Sequence, residues 1–505
     1  FLFILKVVFI VIVFYIVKYL VNVFTNPIRN LPGPKSDSFL TGNVKEIRKD
    51  PFMQPHMKWW KACNYAPLMR YFGILGTPSL IVTKPELVKE ILASQTYEKY
   101  PKKYGFIATI IGDGLVSLEG DEWKRHRKIV QPSFSLNFVK KILQASVPKR
   151  AKQLSDILLS VKKDKPIDIQ TAFTAITLDI IASTAFQFDG FSALDNLAKG
   201  WVDDPSKSDD VIPQVFVLDA KVILPSFPEM FFLGFGQLPP KFVASKPRGE
   251  RIAELDRAVL KVIAATRDRA TNINGDAESR AKSILELLLS AQADDALSQE
   301  EYLAEVKTFL FAGHETTSTL LTWCVYALLK NDGDWDEKML NEINEVFGDE
   351  EINVDKVKDL KIMDAFINEV SRMYPSIGLL VRRAGPNGAI LDGQAVRADT
   401  RIVIPIYMLH RHPELWHEPE TFNPARWLSD EKPKGNTPWT FLPFGAGPRS
   451  CIGRQFALIE GKLILATLLR RLKFKLSDPK QQFTPTSVIT VKPKPDLKVF
   501  VEARK

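Results

Sequence analysis

Apolar residues recur at helical spacing along several long segments of the chain. Residues 302–330 and 455–472 show this pattern most clearly, and a shorter segment, 363–373, ends before Pro375. Proline disfavours helical angles in the residue before it, so the helix should stop there. No internal repeat or linker-like stretch of low complexity divides the chain. We therefore expect one large, mainly α unit with a small β region (α+β).

The first 24 residues are almost entirely apolar and are interrupted by Lys6 and Lys18. As a helix they reach about 36 Å, enough to cross a bilayer if the lysines snorkel to its surfaces. No small-residue cleavage site follows, which favours a retained anchor over a removed signal peptide. The next basic residues are Arg29, Lys35 and Lys45. Their charge indicates a cytosolic domain behind an N-terminal transmembrane helix.

Charge and cysteine content narrow the class of protein. The 505-residue chain has a formal net charge of +9 but no concentrated basic tract, so we expect no nucleic-acid binding. The three cysteines are Cys63, Cys324 and Cys451. Nothing in their context indicates a disulfide, which fits a reducing compartment. The loosely spaced histidines at 410, 412 and 417 are interpreted as part of a surface meander rather than a zinc site.

Cys451 lies in a loop whose composition suits a metal-binding sulfur. The loop reads Phe444-Gly445-Ala446-Gly447-Pro448-Arg449-Ser450-Cys451-Ile452-Gly453. Its glycines allow backbone angles that side chains forbid, and Pro448 stiffens the approach. Because a helix is predicted just after Cys451, free N–H groups and the helix dipole favour a thiolate. Haem iron needs a thiolate for oxygen activation; the alternative is a buried structural thiol.

Three further polar groups accompany this loop. The predicted helix 302–330 contains the polar motif Ala312-Gly313-His314-Glu315-Thr316-Thr317. Glu369 and Arg372 share one helix face and can form an ion pair, and Phe422-Asn423-Pro424-Ala425-Arg426-Trp427 follows later. Trp123 and Arg127 lie four residues apart in a helix that Asp121 can cap. Each group alone fits an ordinary surface or core feature.

In this order and spacing the motifs resemble those of the cytochrome P450 family, and the resemblance covers nearly the whole chain from about residue 31. The pattern Phe-x-x-Gly-x-Arg-x-Cys-x-Gly is similar to the family's haem-binding signature, which here includes Phe444, Gly445 and Gly453. The resemblance implies the cytochrome P450 fold. It also implies haem b, iron protoporphyrin IX, with the Cys451 thiolate as the sole protein ligand to iron.

The resemblance implies roles for the polar residues in helix 302–330. Ala312 and Gly313 are expected beside the haem, with Gly313 leaving room for dioxygen over the iron. Thr316 would donate a hydrogen bond to iron-bound oxygen, and Glu315 would relay protons from solvent. An ordinary polar patch on a buried helix is the alternative. His314 is expected to face away from the iron.

The same resemblance implies how the haem propionates are held. Trp123 and Arg127 are expected to reach one propionate, and Arg382 and Arg449 fall where the family has further partners. Arg383, next to Arg382, makes that assignment less specific. In the fatty-acid ω-hydroxylase branch, which parts of the chain resemble, a glutamate before the oxygen-site glycine often forms an ester with haem. Ala312 occupies that position, so we expect haem to be held non-covalently.

Glu369, Arg372 and Arg426 are expected, again by resemblance, to form a buried charge cluster that holds the Cys451 loop.

The domains would be an anchor at 1–24, a proline-rich hinge at 25–36 and a haem-thiolate monooxygenase domain at 37–505. The apolar stretch 222–239, broken by prolines and glycines, resembles a membrane-dipping connection at the substrate entrance. Its alternative is a loop packed on the core.

The implied activity is monooxygenation of a lipophilic substrate at the endoplasmic reticulum membrane, with O₂ and electrons from NADPH. The chain has no flavin or nicotinamide motif, so NADPH–cytochrome P450 reductase is the expected partner, with cytochrome b5 as a second candidate donor. Residues 106–111, 310–312, 377–381 and 487–489 are expected to line the pocket. Fatty acids, sterols, terpenoids and xenobiotics all fit this lining, and the motif wording has a fungal character.

Two alternatives to a monooxygenase stay open from the sequence. A haem-thiolate isomerase or dehydratase would need no reductase, but its relatives usually lack the acid–alcohol pair that Glu315 and Thr316 form. A non-catalytic haem sensor or carrier would consume no NADPH with any reductase. No motif in this chain is damaged, which argues against it.

Overall fold

The described part of the protein is mainly helical. The computed structural model describes residues 2–203, 246–272 and 283–504, except positions 37, 50, 295, 332, 432 and 488. Its α-helices are α1 Leu2–Phe24, α2 Val44–Lys49, α3 Gln54–Ala62, α4 Pro85–Ala93, α5 Pro101–Ile111, α6 Gly120–Val130, α7 Leu136–Ser160, α8 Ile169–Phe186, α9 Ala193–Ala198, α10 Lys246–Asn272, α11 Ile284–Ala293, α12 Gln299–Lys330, α13 Trp335–Phe347, α14 Lys361–Met373, α15 Ile406–Leu409 and α16 Arg454–Arg471. The mainly α architecture expected from the sequence is confirmed. The apolar stretch 222–239 lies outside the described residues.

Strands form small sheets beside the helices. They are β1 Leu68–Phe72, β2 Pro78–Val82, β3 Glu98–Lys99, β4 Ile167–Asp168, β5 Leu380–Arg383, β6 Ala389–Leu391, β7 Gln394–Val396, β8 Arg401–Ile404, β9 Leu472–Leu476, β10 Thr484–Ser487, β11 Val491–Lys494 and β12 Lys498–Ala503. The largest sheet has the order β1-β2-β8-β5-β3. Within it β2 and β8 are parallel, with Leu80 opposite Ile402, and the other neighbours are antiparallel.

The three predicted helices form with small shifts at their ends. Helix α12 begins at Gln299 because Ser298 and Glu301 make a capping box, in which each side chain accepts the other residue's backbone N–H. Helix α6 begins at Gly120, after Glu119. The expectation that Asp121 caps this helix is wrong, since Asp121 lies inside its first turn and pairs with Lys124 at 2.8 Å.

The core is built around α8 and α12, which pack along each other. Almost every residue of α8 is buried, and Thr177 and Gln170 hydrogen-bond to His314 and Ser318 across the contact, at 3.1 and 3.2 Å. Helix α8 is long and apolar enough to cross a membrane, but 83% of it is buried inside the protein. It is therefore a core helix.

Helix α1 leaves apolar side chains uncovered, and the segment after it is fixed to the domain. Phe9, Ile10 and Phe14 are each more than 60% exposed. The following segment carries the buried Ile28, and Arg70 in β1 donates its backbone N–H to Pro32 O at 2.9 Å and its side chain to Arg29 O at 3.3 Å. The proline-rich segment thus packs against β1.

Candidate active site

One cavity brings most of the predicted site residues together. It has a volume of about 810 Å³, and apolar side chains make up most of its wall. The predicted residues that line it are Trp123, Arg127, Ala312, Gly313, Glu315, Thr316, Arg382, Phe444, Gly445, Arg449, Cys451 and Gly453. Glu369, Arg372 and Arg426 lie outside it. A cavity of this size is within the range of cofactor and substrate sites.

The Cys451 loop is held by its own backbone. Cys451 N–H donates to Phe444 O at 2.9 Å, and Ser450 N–H donates to Gly447 O at 3.0 Å. Gly447 has φ +71°, and a Cβ there would stand 2.3 Å from Leu92 O, so a side chain would displace the loop from α4. The loop therefore keeps its shape with the sulfur open to the cavity.

The pKa of the Cys451 thiol reflects two opposing effects of its surroundings. Burial raises the pKa of the Cys451 thiol, and the Gly453 N–H and the Arg127 and Arg454 charges oppose this shift without overcoming it. Desolvation has the largest effect on this pKa, and the Gly453 N–H acts in the opposite direction, as expected for a helix end. A metal ion bound by the sulfur would supply the charge that favours loss of the thiol proton.

Helix α12 contributes a second wall of the cavity. Thr316 Oγ1 donates to Ala312 O at 2.8 Å, and both residues line the cavity. A Cβ on Gly313 would meet Ile181 Cγ1 at 2.5 Å, so the close approach of α8 requires glycine here. His314 is buried against Phe311, with Nδ1 2.7 Å from Leu310 O. Among the residues that the structure describes, His314 is not one of those that line the cavity.

Glu315 connects the cavity with the surface. Its Oε1 accepts hydrogen bonds from Thr490 Oγ1 at 2.8 Å and from Lys492 Nζ at 2.7 Å. The Lys492 side chain is 32% exposed, whereas that of Glu315 is 11% exposed. A carboxylate placed between a cavity and a partly exposed ammonium group can pass protons from solvent inward.

Cationic and aromatic groups gather at one part of the cavity wall. The Arg449 guanidinium stacks on Trp123 at 3.7 Å, and Arg127 donates to Ser450 O at 3.3 Å. Arg382 is buried and lines the same cavity. Burial, then the Arg449 charge, lowers the pKa of Lys99, another lining residue, to about 7.

This charge distribution suits haem. Six basic residues line the described cavity wall: Arg48, Lys99, Arg127, Arg382, Arg401 and Arg449. The one carboxylate among those lining residues, Glu315, already pairs with Lys492. A flat apolar cofactor with two carboxylates and an iron that takes sulfur would satisfy the cations, the apolar wall and Cys451 together.

Glu369, Arg372 and Arg426 form a buried charge cluster outside the cavity. Both Glu369 oxygens accept from Arg372 at 2.9 Å, and Arg426 Nε donates to Oε1 at 3.1 Å. The N–H groups of Asn423 and the Trp427 ring donate to the same carboxylate. Burial alone would raise the pKa of Glu369, but Arg372, then Asn423 and Arg426, bring it below its usual range. The structure thus places these three charged residues together.

A buried histidine joins this cluster to Leu442, two residues before the Cys451 loop. His410 Nδ1 lies 3.2 Å from Arg372 O, and its Nε2 accepts the N–H of Leu442 at 2.8 Å. The assignment of His410 and His412 to a surface meander is wrong, since both are buried, whereas His417 is exposed. In the sequence, three loosely spaced histidines suggested a solvent-exposed segment. Only the hydrogen bonds of His410 in the folded protein show that this ring connects two segments of the chain.

The predicted pocket segments line the cavity in part. Ile107, Ile110 and Ile111 line it from the first segment, and Phe311 and Ala312 from the second. Ile377, Leu379, Leu380 and Ile489 come from the other two. The sequence reasoning missed the contributions of α7 and α8, such as Phe138, Ile142 and Ile181. These residues look like ordinary helix-core positions in the sequence.

Comparison with known proteins gives a consistent result. A family model described as cytochrome P450 matches residues 32–499. The chain is 30% identical to a protein named cytochrome P450 734A1 from Arabidopsis thaliana, over 86% of this chain and 80% of that protein. It is 29% identical to cytochrome P450 72A397 from Kalopanax septemlobus, over 88% and 82%. A protein named cytochrome P450 monooxygenase 128 from Postia placenta is 29% identical, over 91% and 88%.

Proposed function

The chain belongs to the cytochrome P450 family and is an oxygen-incorporating oxidoreductase, and on this premise we propose that it hydroxylates a lipophilic substrate as a membrane-anchored monooxygenase. The observation that carries the proposal is that the Cys451 sulfur and the Thr316 hydroxyl line one largely apolar cavity. Haem b, held non-covalently through Cys451, would supply the oxygen activation.

The chain's own residues bind, orient and deliver protons. Trp123, Arg127, Arg382 and Arg449 would hold the haem carboxylates through N–H donors. The Thr316 hydroxyl, fixed by Ala312 O, would present a proton to oxygen bound in the cavity. Glu315 would resupply that proton from the Lys492 side.

The cavity wall supports a lipophilic substrate. The part contributed by Ile107, Ile111, Phe311, Ile377 and Ile489 is apolar and carries no charge. Desolvating a polar or charged molecule against this wall would be unfavourable. We therefore infer a substrate such as a fatty acid, sterol, terpenoid or xenobiotic, oxidised at a carbon within reach of the site.

Electrons would come from NADPH through NADPH–cytochrome P450 reductase, with cytochrome b5 as a second donor. Lys128, Lys141 and Arg454 are exposed, and Arg454 is close to Cys451 in the sequence, so an acidic partner could dock there. Arg125 is another basic residue of α6, the helix that carries Lys128. It does not contribute to such a surface, because its side chain binds Ala296 O and Glu301. Electron-transfer rates that fall with rising ionic strength would support this docking.

Exposed apolar residues on α1, including Phe9, Ile10 and Phe14, support an anchor in the endoplasmic reticulum membrane with a cytosolic catalytic domain. Residues 25–36 would connect the anchor to the domain at 37–505. Co-sedimentation with phospholipid vesicles tests this, since a protein beginning at residue 25 should bind them much more weakly.

The central experiment changes the iron ligand. We expect Cys451→Ser to abolish the red-shifted carbon monoxide band of the reduced protein, because that band requires thiolate ligation. Cys63→Ser is the control, since Cys63 does not line the described cavity, and it should keep the band. A band that survives Cys451→Ser but disappears in Cys63→Ser would contradict the proposal.

A further inference from the structure

Glu119 joins two parts of the cavity wall that are distant in the sequence. Its Oε1 accepts the backbone N–H of Lys99 at 3.0 Å, and its Oε2 accepts from Arg449 Nη2 at 2.5 Å. Glu119 immediately precedes α6, which carries Trp123. One carboxylate therefore connects β3, the start of α6 and the Cys451 loop.

The other contacts of Arg449 come from the same segment. Arg449 Nη1 donates to Leu118 O at 3.0 Å, and the guanidinium stacks 3.7 Å from the centre of the Trp123 ring. A carbonyl, a carboxylate and a ring face fix a planar guanidinium in one orientation. Arg449 and Trp123 are among the described cavity-lining residues and Glu119 is not. Glu119 would therefore act on the cavity through Arg449.

The negative charge of Glu119 also affects the cations of the cavity wall. Arg127 and Arg382 line the same cavity wall as Arg449, and the Glu119 carboxylate contacts the Arg449 guanidinium directly. The cations of this wall therefore repel one another, and Glu119 offsets part of the repulsion. The Arg449 side chain is 16% exposed and that of Glu119 31%, so solvent weakens this interaction only in part.

We propose that Glu119 is a positioning residue of the haem site, which holds the Arg449 guanidinium in place and offsets its charge. This inference rests on the proposed function. Ferric haem carries one more positive charge than ferrous haem, so an anion beside the site favours the ferric form. Glu119 thereby lowers the reduction potential of haem bound through Cys451.

The test is a redox titration of the haem-loaded full chain. Glu119→Gln removes the charge and weakens the bond to Arg449, so the reduction potential should rise relative to wild type. Glu122→Gln is the matched control, because Glu122 is exposed on the first turn of the same helix and its loss changes the net charge equally. The reduction potential of haem in the Glu122→Gln variant should stay near that of wild type.

A second variant covers the case in which Glu119→Gln does not retain haem. Glu119→Asp keeps the charge but shortens the reach to Arg449, and the potential should rise by a smaller amount. Potentials equal to wild type in both Glu119 variants, or equal shifts in Glu119→Gln and Glu122→Gln, would overturn the positioning role alone. A wild-type protein without the thiolate carbon monoxide band would instead contradict the proposed function itself.

Discussion

The proposed proton delivery depends on the side-chain hydroxyl of Thr316. Its hydroxyl already has a partner in Ala312 O at 2.8 Å, so it is held in place at the cavity wall. Thr319, one turn later, makes the same kind of bond to Glu315 O at 2.8 Å, but it is buried and is not among the described lining residues. The two threonines therefore form a natural pair of test and control.

We expect Thr316→Ala to uncouple the enzyme without unfolding it. Proton delivery by a positioned side chain contributes about 100-fold or more to a reaction, whereas removing one helix back-bond changes stability little. NADPH consumption should continue, with hydrogen peroxide replacing most of the hydroxylated product. The ratio of product to NADPH measures this. Thr319→Ala should keep the ratio, and an unchanged ratio in Thr316→Ala would exclude Thr316 from the mechanism.

The residue before Gly313 decides how haem should be attached. Ala312 lines the cavity and has no carboxylate, and Glu315 is engaged by Thr490 and Lys492. We therefore expect acidified organic solvent to extract unmodified haem, as judged by chromatography and mass spectrometry. Ala312→Glu, which supplies a carboxylate at this position, is the comparison. Haem retained on the denatured wild-type chain would place the protein nearer the ω-hydroxylase branch.

At the scale of elements, the Glu369 carboxylate joins α14 to the segment that precedes the Cys451 loop. It is fully buried and accepts from Arg372, Arg426, Asn423 and Trp427. Removing one partner of a buried ion pair leaves the other charge uncompensated, at a cost of about 3–5 kcal/mol. We therefore propose that the cluster stabilises the loop, although none of its three charged residues lines the described cavity wall.

We expect Glu369→Gln to lower the free energy of unfolding by about 3 kcal/mol or more and to reduce haem incorporation. Glu420→Gln provides the control, because Glu420 pairs with Arg411 at 3.2 Å in the same region but its side chain is 65% exposed. Such a pair contributes at most about 1 kcal/mol. Denaturant unfolding and the haem-to-protein ratio of purified samples measure both effects. Equal losses in the two variants would contradict the structural role of the cluster.

At the scale of the whole molecule, two buried histidines make stability depend on pH. Burial, with the charge of Arg372, lowers the pKa of His410 to about 3, and burial with the charge of Arg401 does the same for His56. In the unfolded chain both titrate near 6.5. Between these values the unfolded state binds protons that the folded state does not. The stability that these two neutral histidines contribute is therefore complete above about pH 6.5 and is lost as the pH falls toward 3.

Each histidine should lower the free energy of unfolding by up to about 1.4 kcal/mol for each pH unit in this window. Urea unfolding midpoints at pH 7, 6 and 5 measure the slope. His410→Gln should flatten it, whereas His417→Gln should not, because His417 is exposed. A slope that His410→Gln leaves unchanged would show that the ring is already protonated in the folded protein.

The sequence alone determined the parts of this protein that rest on local chemistry. Helical spacing predicted α12, α14 and α16, because periodicity is a property of neighbouring residues. The glycine-rich loop and the order of the motifs indicated the family, since the spacing around Cys451 is itself the signature. Thr316 and Cys451, which both line the cavity, could be proposed as site residues in the same way, from residues a few positions apart.

Tertiary structure alone decided what depends on partners distant in the sequence. His410 looked like a surface residue until Arg372 and Leu442 closed around it. The contact of Glu119 with Arg449 spans 330 positions, and that of Glu315 with Thr490 spans 175. No local pattern encodes such pairs, because burial and electrostatics depend on which segments the fold packs together.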